Sequence, residues 1–439
     1  MGRWRLLAAS GVMLLAATRA EPPASAESTQ LWVGNTADAG RGSLRDAILR
    51  ANAQRGRKTI RFDSINGPFA TPQTIALRSE LPPLEGELTI DGYIEGRLWQ
   101  PTGVTVSGAK AHRVIEVKPG ARAILSSITV ADGRAERGGA VLNRGTLILK
   151  GVTFRANSAA REGGAVATEG ALTAINSTFA ENEAGDRGGG LAVIAGTATI
   201  TNCTFAGNQA RAGGGLFTRP AILLRNTLLA HGKKSDCTAV AGVDPRSTHN
   251  LIMTNEGCGK PILSVDPKLE KLGLYSGPTA TMPLSGGSSA INLGDNASAV
   301  DDEGKPLVWD QRGNGDPRFV AGFTDIGAFE VQAFPVLRVN TPEDNGLRAC
   351  SGVMLGDCSL RGALELANAA GKRAVVSFDP RVFASTRTLT ISRRLPDPTV
   401  DVTLDGRDAG GITIRAASHA LRAKGGGRLS LEGVTIADR

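Results

Sequence analysis

The sequence predicts an all-β protein: a right-handed parallel β-helix with short amphipathic capping helices, followed by the start of a second β-helix module. Three observations predict it. Gly138-Gly139-Ala140-Val141, Gly163-Gly164-Ala165-Val166, Gly188-Gly189-Gly190-Leu191 and Gly213-Gly214-Gly215-Leu216 recur every 25 residues. A Phe-x-x-Asn motif follows the first three at nearly constant distance, as Phe154/Asn157, Phe179/Asn182 and Phe205/Asn208. Residues 336–439 replay the landmarks of residues 31–134. A fixed period in this range marks a solenoid, because one repeat cannot bury its apolar face alone.

Column by column, the repeat resolves into strands. Phe154, Phe179, Phe205 and Leu229 align, with Val130 one turn earlier, and Val152, Ser177, Cys203 and Thr227 lie two residues before them. Upstream come Leu149/Ala174/Ile200/Leu224 and Leu147/Leu172/Ala198/Ile222, two residues apart as inward strand positions are. Val141, Val166, Leu191 and Leu216 make a further column after the glycines. Three short alternating runs per repeat, punctuated by Gly and Asn, predict three strands and three turns. Stacked coils then turn the Phe column into an internal aromatic stack. Asn157, Asn182 and Asn208 form one turn column, and Asn176, Asn202 and Asn226 another, since Asn accepts left-handed backbone and bonds local backbone or the Asn above.

Solenoids need polar-backed lids over their apolar ends. Ser43 begins an amphipathic helix with Leu44, Ala47, Ile48 and Ala51 inward and Gly56 as its stop, and Ser43 with Asp46 fits a capping box. Ser359, Leu360, Ala363, Leu364 and Ala367 repeat that helix, ending at Gly371. The expected organisation is a signal peptide at 1–26, a cap with first coils at 31–134, and regular rungs with a disulfide loop at 135–271. A closing region at 272–332 and a second, truncated module at 333–439 follow. The second copy stops where the Gly-Gly rungs of the first begin, so the sequence predicts a longer protein, with a short native end docked on another surface as the alternative.

The first residues point to export. Two Arg among Met1 to Arg5, an apolar run over residues 6–17 and Ala24-Ser25-Ala26 read as a signal peptide cut after Ala26, or after Ala20, with a retained anchor as the alternative. No other stretch approaches the roughly 20 apolar residues of a membrane helix. Five Cys in an exported chain invite pairing. Cys237 and Cys258 flank a turn-rich excursion, and Cys350 and Cys358 bracket the loop before the second helix, so these four are the expected structural disulfides. Cys203 falls in an inward column and is expected as a buried thiol.

Charge excludes some classes. The chain carries a net +8, but signs are mixed and aromatics make up 4% of residues, which argues against a nucleic-acid face of clustered cations and stacking rings. Trp32, Trp99 and Trp309 lie outside the regular rungs, so the sequence shows no repeated sugar-stacking platform. Beside the Gly pairs, Glu136/Arg161/Asp186/Arg211 and Arg137/Glu162/Arg187/Ala212 alternate in sign, predicting a cross-strand charge ladder that sets rung register. A β-helix lyase or hydrolase needs converging carboxylates with a basic partner. Asp132 and Glu181 are separated by Ala156 in their column, and Glu136, Glu162 and Asp186 already have Arg neighbours, so no catalytic residue is assigned. His112, His231, His249 and His419 are scattered, and no metal or cofactor site is assigned. Asp295, Asp301 and Asp302 read as a solvated loop, with a cation-holding loop as the alternative.

The GGA[VL]/FxxN pairing resembles the repeats of the polymorphic membrane proteins, bacterial surface β-helices. Gly42-Ser43-Leu44-Arg45-Asp46-Ala47-Ile48 and Cys358-Ser359-Leu360-Arg361-Gly362-Ala363-Leu364 resemble the CSLREA motif of secreted bacterial β-helices. Gly277-Pro278-Thr279, Ser288 to Gly294, Asp310-Gln311-Arg312-Gly313 and Asp325 to Glu330 resemble the closing part of the choice-of-anchor Q family. The resemblance implies an exported, cell-surface or outer-membrane-associated protein, non-enzymatic, acting in adhesion or structural display toward a surface ligand or polysaccharide. The alternative is a β-helix carbohydrate-active enzyme. Oligomeric state is not legible in the residues.

Overall fold

The computed structural model describes residues 28–93, 103–275, 277–285, 288–313, 316–320, 324–331, 336–348, 350, 356–370, 374–379, 382–383, 387–409, 411–416 and 427–438. The expected signal peptide, Trp99, Gly371 and His419 lie outside them.

Parallel strands coil into a β-solenoid. One coil runs Thr146–Lys150, Thr153–Arg155, Ser158–Glu162 and Val166–Thr168 before Ala171–Ile175 begins the next. Equivalent strands stack into a first sheet of eight strands from Thr29–Val33 to Leu223–Arg225 and a second of eight from Gln73–Ala76 to Leu251–Ile252. A third has seven, from Ile115–Val117 to Asn255–Glu256. The three-strand expectation is one short, because a fourth sheet joins Arg134–Arg137, Ser158–Glu162 and Glu183–Ala184. Small side chains explain the extra pairing: Ala159, Ala184 and Ala210 bury a minor cluster there, and Glu162 lands opposite Arg137.

Register matches the aligned columns. Val130, Phe154, Phe179, Phe205 and Leu229 stand in line, as do Val141, Val166, Leu191, Leu216 and Cys237. The three Phe rings are fully buried and stack at centroid distances of 4.9 and 4.4 Å. Asn157, Asn182 and Asn208 form a buried ladder, each Nδ2 donating to the next Oδ1 at 2.9 Å. The same Oδ1 atoms of Asn182 and Asn208 take the backbone N–H of the preceding Asn at 3.0 Å. Each ladder amide thus satisfies polar groups that the turn would otherwise bury unpaired.

The Gly pairs have two separate reasons. Gly163 sits at φ +67°, and Gly164 passes so near the next coil that a Cβ would meet the Gly189 carbonyl oxygen at 2.3 Å. The first needs left-handed backbone and the second needs room.

At one end, the helix Leu44–Asn52 lays Leu44, Ala47, Ile48 and Ala51 on the core. Ser43 caps it through the Asp46 N–H at 3.2 Å, while the Asp46 carboxylate takes the Gly42 N–H at 3.1 Å instead of closing on Ser43. The helix stops at Asn52, short of Gly56, whose φ of +81° serves the turn into the strand Arg57–Phe62. Arg45 binds Asp38 and the carbonyls of Ser79 and Glu80, and Asn52 binds the Pro83 carbonyl and the Glu85 N–H. The Ser-Leu-Arg motif is therefore a latch that ties the lid to the following coil.

At the other end, Cys237 and Cys258 are bonded (2.03 Å) and buried in the same core, which extends from Leu31 to Cys258. Cys350 and Cys358 form the second bond (2.06 Å). Cys203 is a buried free thiol, pushed up to about 12 by desolvation.

Residues 336–438 repeat the opening coils around their own core. Val336–Val339, Ala374–Phe378, Val402–Asp405 and Leu429–Glu432 form one parallel sheet, and Arg387–Thr390, Ile412–Ala416 and Val434–Asp438 another. The helix Leu360–Ala370 has the same latch: Arg361 binds Asp344 and the Arg393 and Arg394 carbonyls, and Asn368 binds the Asp397 carbonyl and the Thr399 N–H. Phe62 against Phe69 and Phe378 against Phe383 are edge-on pairs in corresponding places.

Candidate functional site

The segment after the first solenoid packs against the outer face of the second sheet. Thr153, Thr178 and Thr204 align there in register. Gln311 reaches Thr153 and Thr279 through Nε2, takes a 2.5 Å bond from Thr178, and the Ala328 N–H donates to Thr204 at 2.9 Å. Asn176, Asn202 and Asn226 are left-handed, at φ +46°, +48° and +47°. Their amides, expected to bond local backbone or one another, mainly hold the segment, donating to the carbonyls of Trp309, Asp325 and Asp295. The left-handed turn aims these side chains out of the coil, where the segment's backbone lies. One Asn–Asn contact remains, at 3.4 Å.

Within the segment the Asp-Gln-Arg-Gly and Asp-Ile-Gly-Ala-Phe-Glu motifs build a buried polar core. Arg318 and Glu330 are both fully buried and meet at 2.5 Å, and Arg318 also reaches Asn176 and the Gly327 carbonyl. Arg312 pairs with Asp310 at 2.6 Å and Asp316 at 2.8 Å, and its guanidinium lies 3.8 Å above the Phe329 ring. Asp325 takes the Asn292 and Val331 N–H groups and gives its own N–H to Glu330. Desolvation pushes Asp316 and Asp325 up to about 6 and Glu330 to about 8.

These three folded-state values lie above ordinary carboxylate values, so the folded segment holds protons that the unfolded chain releases. Their contribution is full below about pH 4 and is lost as pH rises through 6 and then 8. Hydrogen exchange over residues 288–331 is expected to be slower at about pH 5.5 than at about pH 8.5 after correction for intrinsic rates. Equal protection would remove this assignment.

The charge ladder forms as the columns predict. Arg161 lies 3.6 Å from Glu136 and 4.0 Å from Asp186, and Arg211 lies 3.5 Å from Asp186. The inner column is tighter, with Glu162 between Arg137 at 3.1 Å and Arg187 at 3.2 Å. Exposed pairs contribute about 0.2–1 kcal/mol, so Arg161→Glu should lower the melting temperature by a few degrees. The off-ladder reversal Arg219→Glu should change it less, and equal shifts would deny the ladder a structural role.

The acids do not converge. Asp132, Ala156, Glu181 and Gly207 occupy one left-handed column, at φ +52°, +53°, +57° and +65°. Asp295 caps a short 3-10 turn, Asp301 accepts the N–H groups of Glu303 and Lys305, and Asp302 pairs with Lys150 at 2.5 Å. Among the described residues, no group of three His, Cys, Asp or Glu could hold a metal ion, and no helix is long and apolar enough to cross a membrane.

A groove of about 310 Å³ opens where the docked segment crosses the first turn of the coils. Ser126, Ser127, Lys150, Asp301 and Trp309 are among its lining residues, and Trp309 is 39% exposed. Sequence reasoning set Trp309 aside because it lies outside the rungs; a Trp beside a buried Asp-Gln-Arg motif was the available signal. Trp32, also set aside, is exposed on the first strand, opposite Arg61. Asp38, Asn52 and Arg318 were missed as well, since their partners lie 7 to 142 residues away in sequence. No family model and no curated protein matches the chain.

Proposed function

We propose that this protein is exported to the bacterial cell surface, after loss of residues 1–26, and acts there in adhesion or structural display. One observation carries the reading: a single apolar core runs from a latched helical lid at Leu44–Asn52 to a disulfide-closed end at Cys237–Cys258. A rod built this way holds outward positions at fixed spacing, and disulfides suit an oxidising compartment. The resemblance to the CSLREA and choice-of-anchor Q proteins supplies the surface association. Protease shaving of intact bacteria expressing the full chain tests it: released solenoid peptides and an amino terminus beginning after residue 26 are expected. Cytosolic recovery of the chain with residues 1–26 intact would overturn export. Release of unsaturated uronides or new reducing ends from acidic polysaccharides would overturn the non-enzymatic reading.

A further inference from the structure

We propose that the groove beside Trp309 is a binding site for a neutral sugar unit, the point at which the surface rod engages a glycan. This deepens the adhesion reading and rests on it. The groove arises from a change in one column. The left-handed turn residues of successive coils are Ser127, Gly151, Asn176, Asn202 and Asn226, at φ +51°, +63°, +46°, +48° and +47°. The three Asn tie the docked segment down through their amides. Ser127 and Gly151 have no amide side chain to reach the segment, and they line the groove together with Asn176.

The wall is held rigidly. Leu307 is buried with Ile175 and Ala299 on one side of Trp309, and Asp310 is pinned by Arg312 on the other. The Trp309 carbonyl takes the Asn176 amide at 2.8 Å. An indole left partly in water by such anchoring is an apolar plane beside polar groups, the arrangement that the C–H face and hydroxyl edge of a sugar ring require. The rim supplies both hydrogen-bond senses: hydroxyls from Ser126 and Ser127, a carboxylate from Asp301 and an ammonium from Lys150. Asp302 already faces that ammonium at 2.5 Å, so the rim carries no unmatched cation to favour a phosphate or uronate. The volume is at the low end of ligand sites, about 300 to 1,000 Å³, which suits one or two rings.

The test is calorimetric titration of the exported chain with three probes: tetrasaccharides of β-linked glucose, β-linked galactose and α-linked mannose. Saturable binding of at least one is expected, with Trp309→Ala weakening it at least tenfold and Trp309→Phe weakening it less. Ser126→Phe, on the groove rim in register with Lys150, should also abolish binding, while Trp32→Ala should leave it unchanged. Circular dichroism melts confirm that the variants are folded. Absence of binding by all three probes, or binding insensitive to both Trp309→Ala and Ser126→Phe, would overturn the site. Protease shaving is scored separately: a shaved protein that binds no probe sinks the groove alone, and a cytosolic protein that binds a probe sinks the surface reading alone.

Discussion

Phe179→Ala is expected to destabilise the solenoid by about 3–5 kcal/mol, the usual cost of emptying a fully buried aromatic site. Phe179 is flanked on both sides by rings, with centroids at 4.9 Å from Phe154 and 4.4 Å from Phe205. Phe154 instead meets Val130 on its other side, and Phe205 meets Leu229. Losing two ring contacts makes Phe179 the costliest of the three, with each ring pair adding about 0.5–1.5 kcal/mol beyond area burial. A coil contacts mainly its neighbours, so the loss should be read locally. Denaturant midpoints and peptide-resolved hydrogen exchange would show it, with the coils around residues 146–216 losing protection first. A midpoint shift no larger than that of Phe205→Ala would contradict the ranking.

Above about pH 8, where Glu330 is ionised, Arg318→Ala is expected to cost a similar amount, about 3–5 kcal/mol, because removing one partner of a buried pair leaves the other without compensation. Glu330 is fully buried and loses the cation it faces, while Asn176 and the Gly327 carbonyl each lose a donor. The effect should fall on the docked segment. Exchange over residues 288–331 should rise strongly while the Phe-stack coils remain protected. The double variant Arg318→Met with Glu330→Gln should recover part of the loss, since it removes both charges together. Unchanged exchange in the single variant would show that the network does not hold the segment on the threonine face.

Much of the fold was legible because a solenoid writes its contacts into a short period. Phe154, Phe179 and Phe205 touch because they are one coil apart, and the same spacing placed the Asn157/Asn182/Asn208 ladder and the Arg137–Glu162–Arg187 charges. Both disulfides close loops of 21 and 8 residues, within reach of local reading. The fourth short strand was missed because its pairing rests on small residues, Ala159 and Ala184, whose alternation carries little hydropathy signal.

The docked segment has no period, and its site was correspondingly opaque. Sequence alone determined the strand columns, the stacked rings, the paired cysteines and the two lids. In each case the interacting residues are either near neighbours or exact repeats of one another. Only the tertiary structure decided that Asn176, Asn202 and Asn226 clamp a distant loop, that Arg318 is buried against Glu330, and that Trp309, Gly151 and Ser127 line one groove. Those partners, as much as 142 residues apart, share no spacing rule. They meet because an irregular chain must satisfy its buried polar groups against whatever face it lands on, and that face exists only once the coils have stacked.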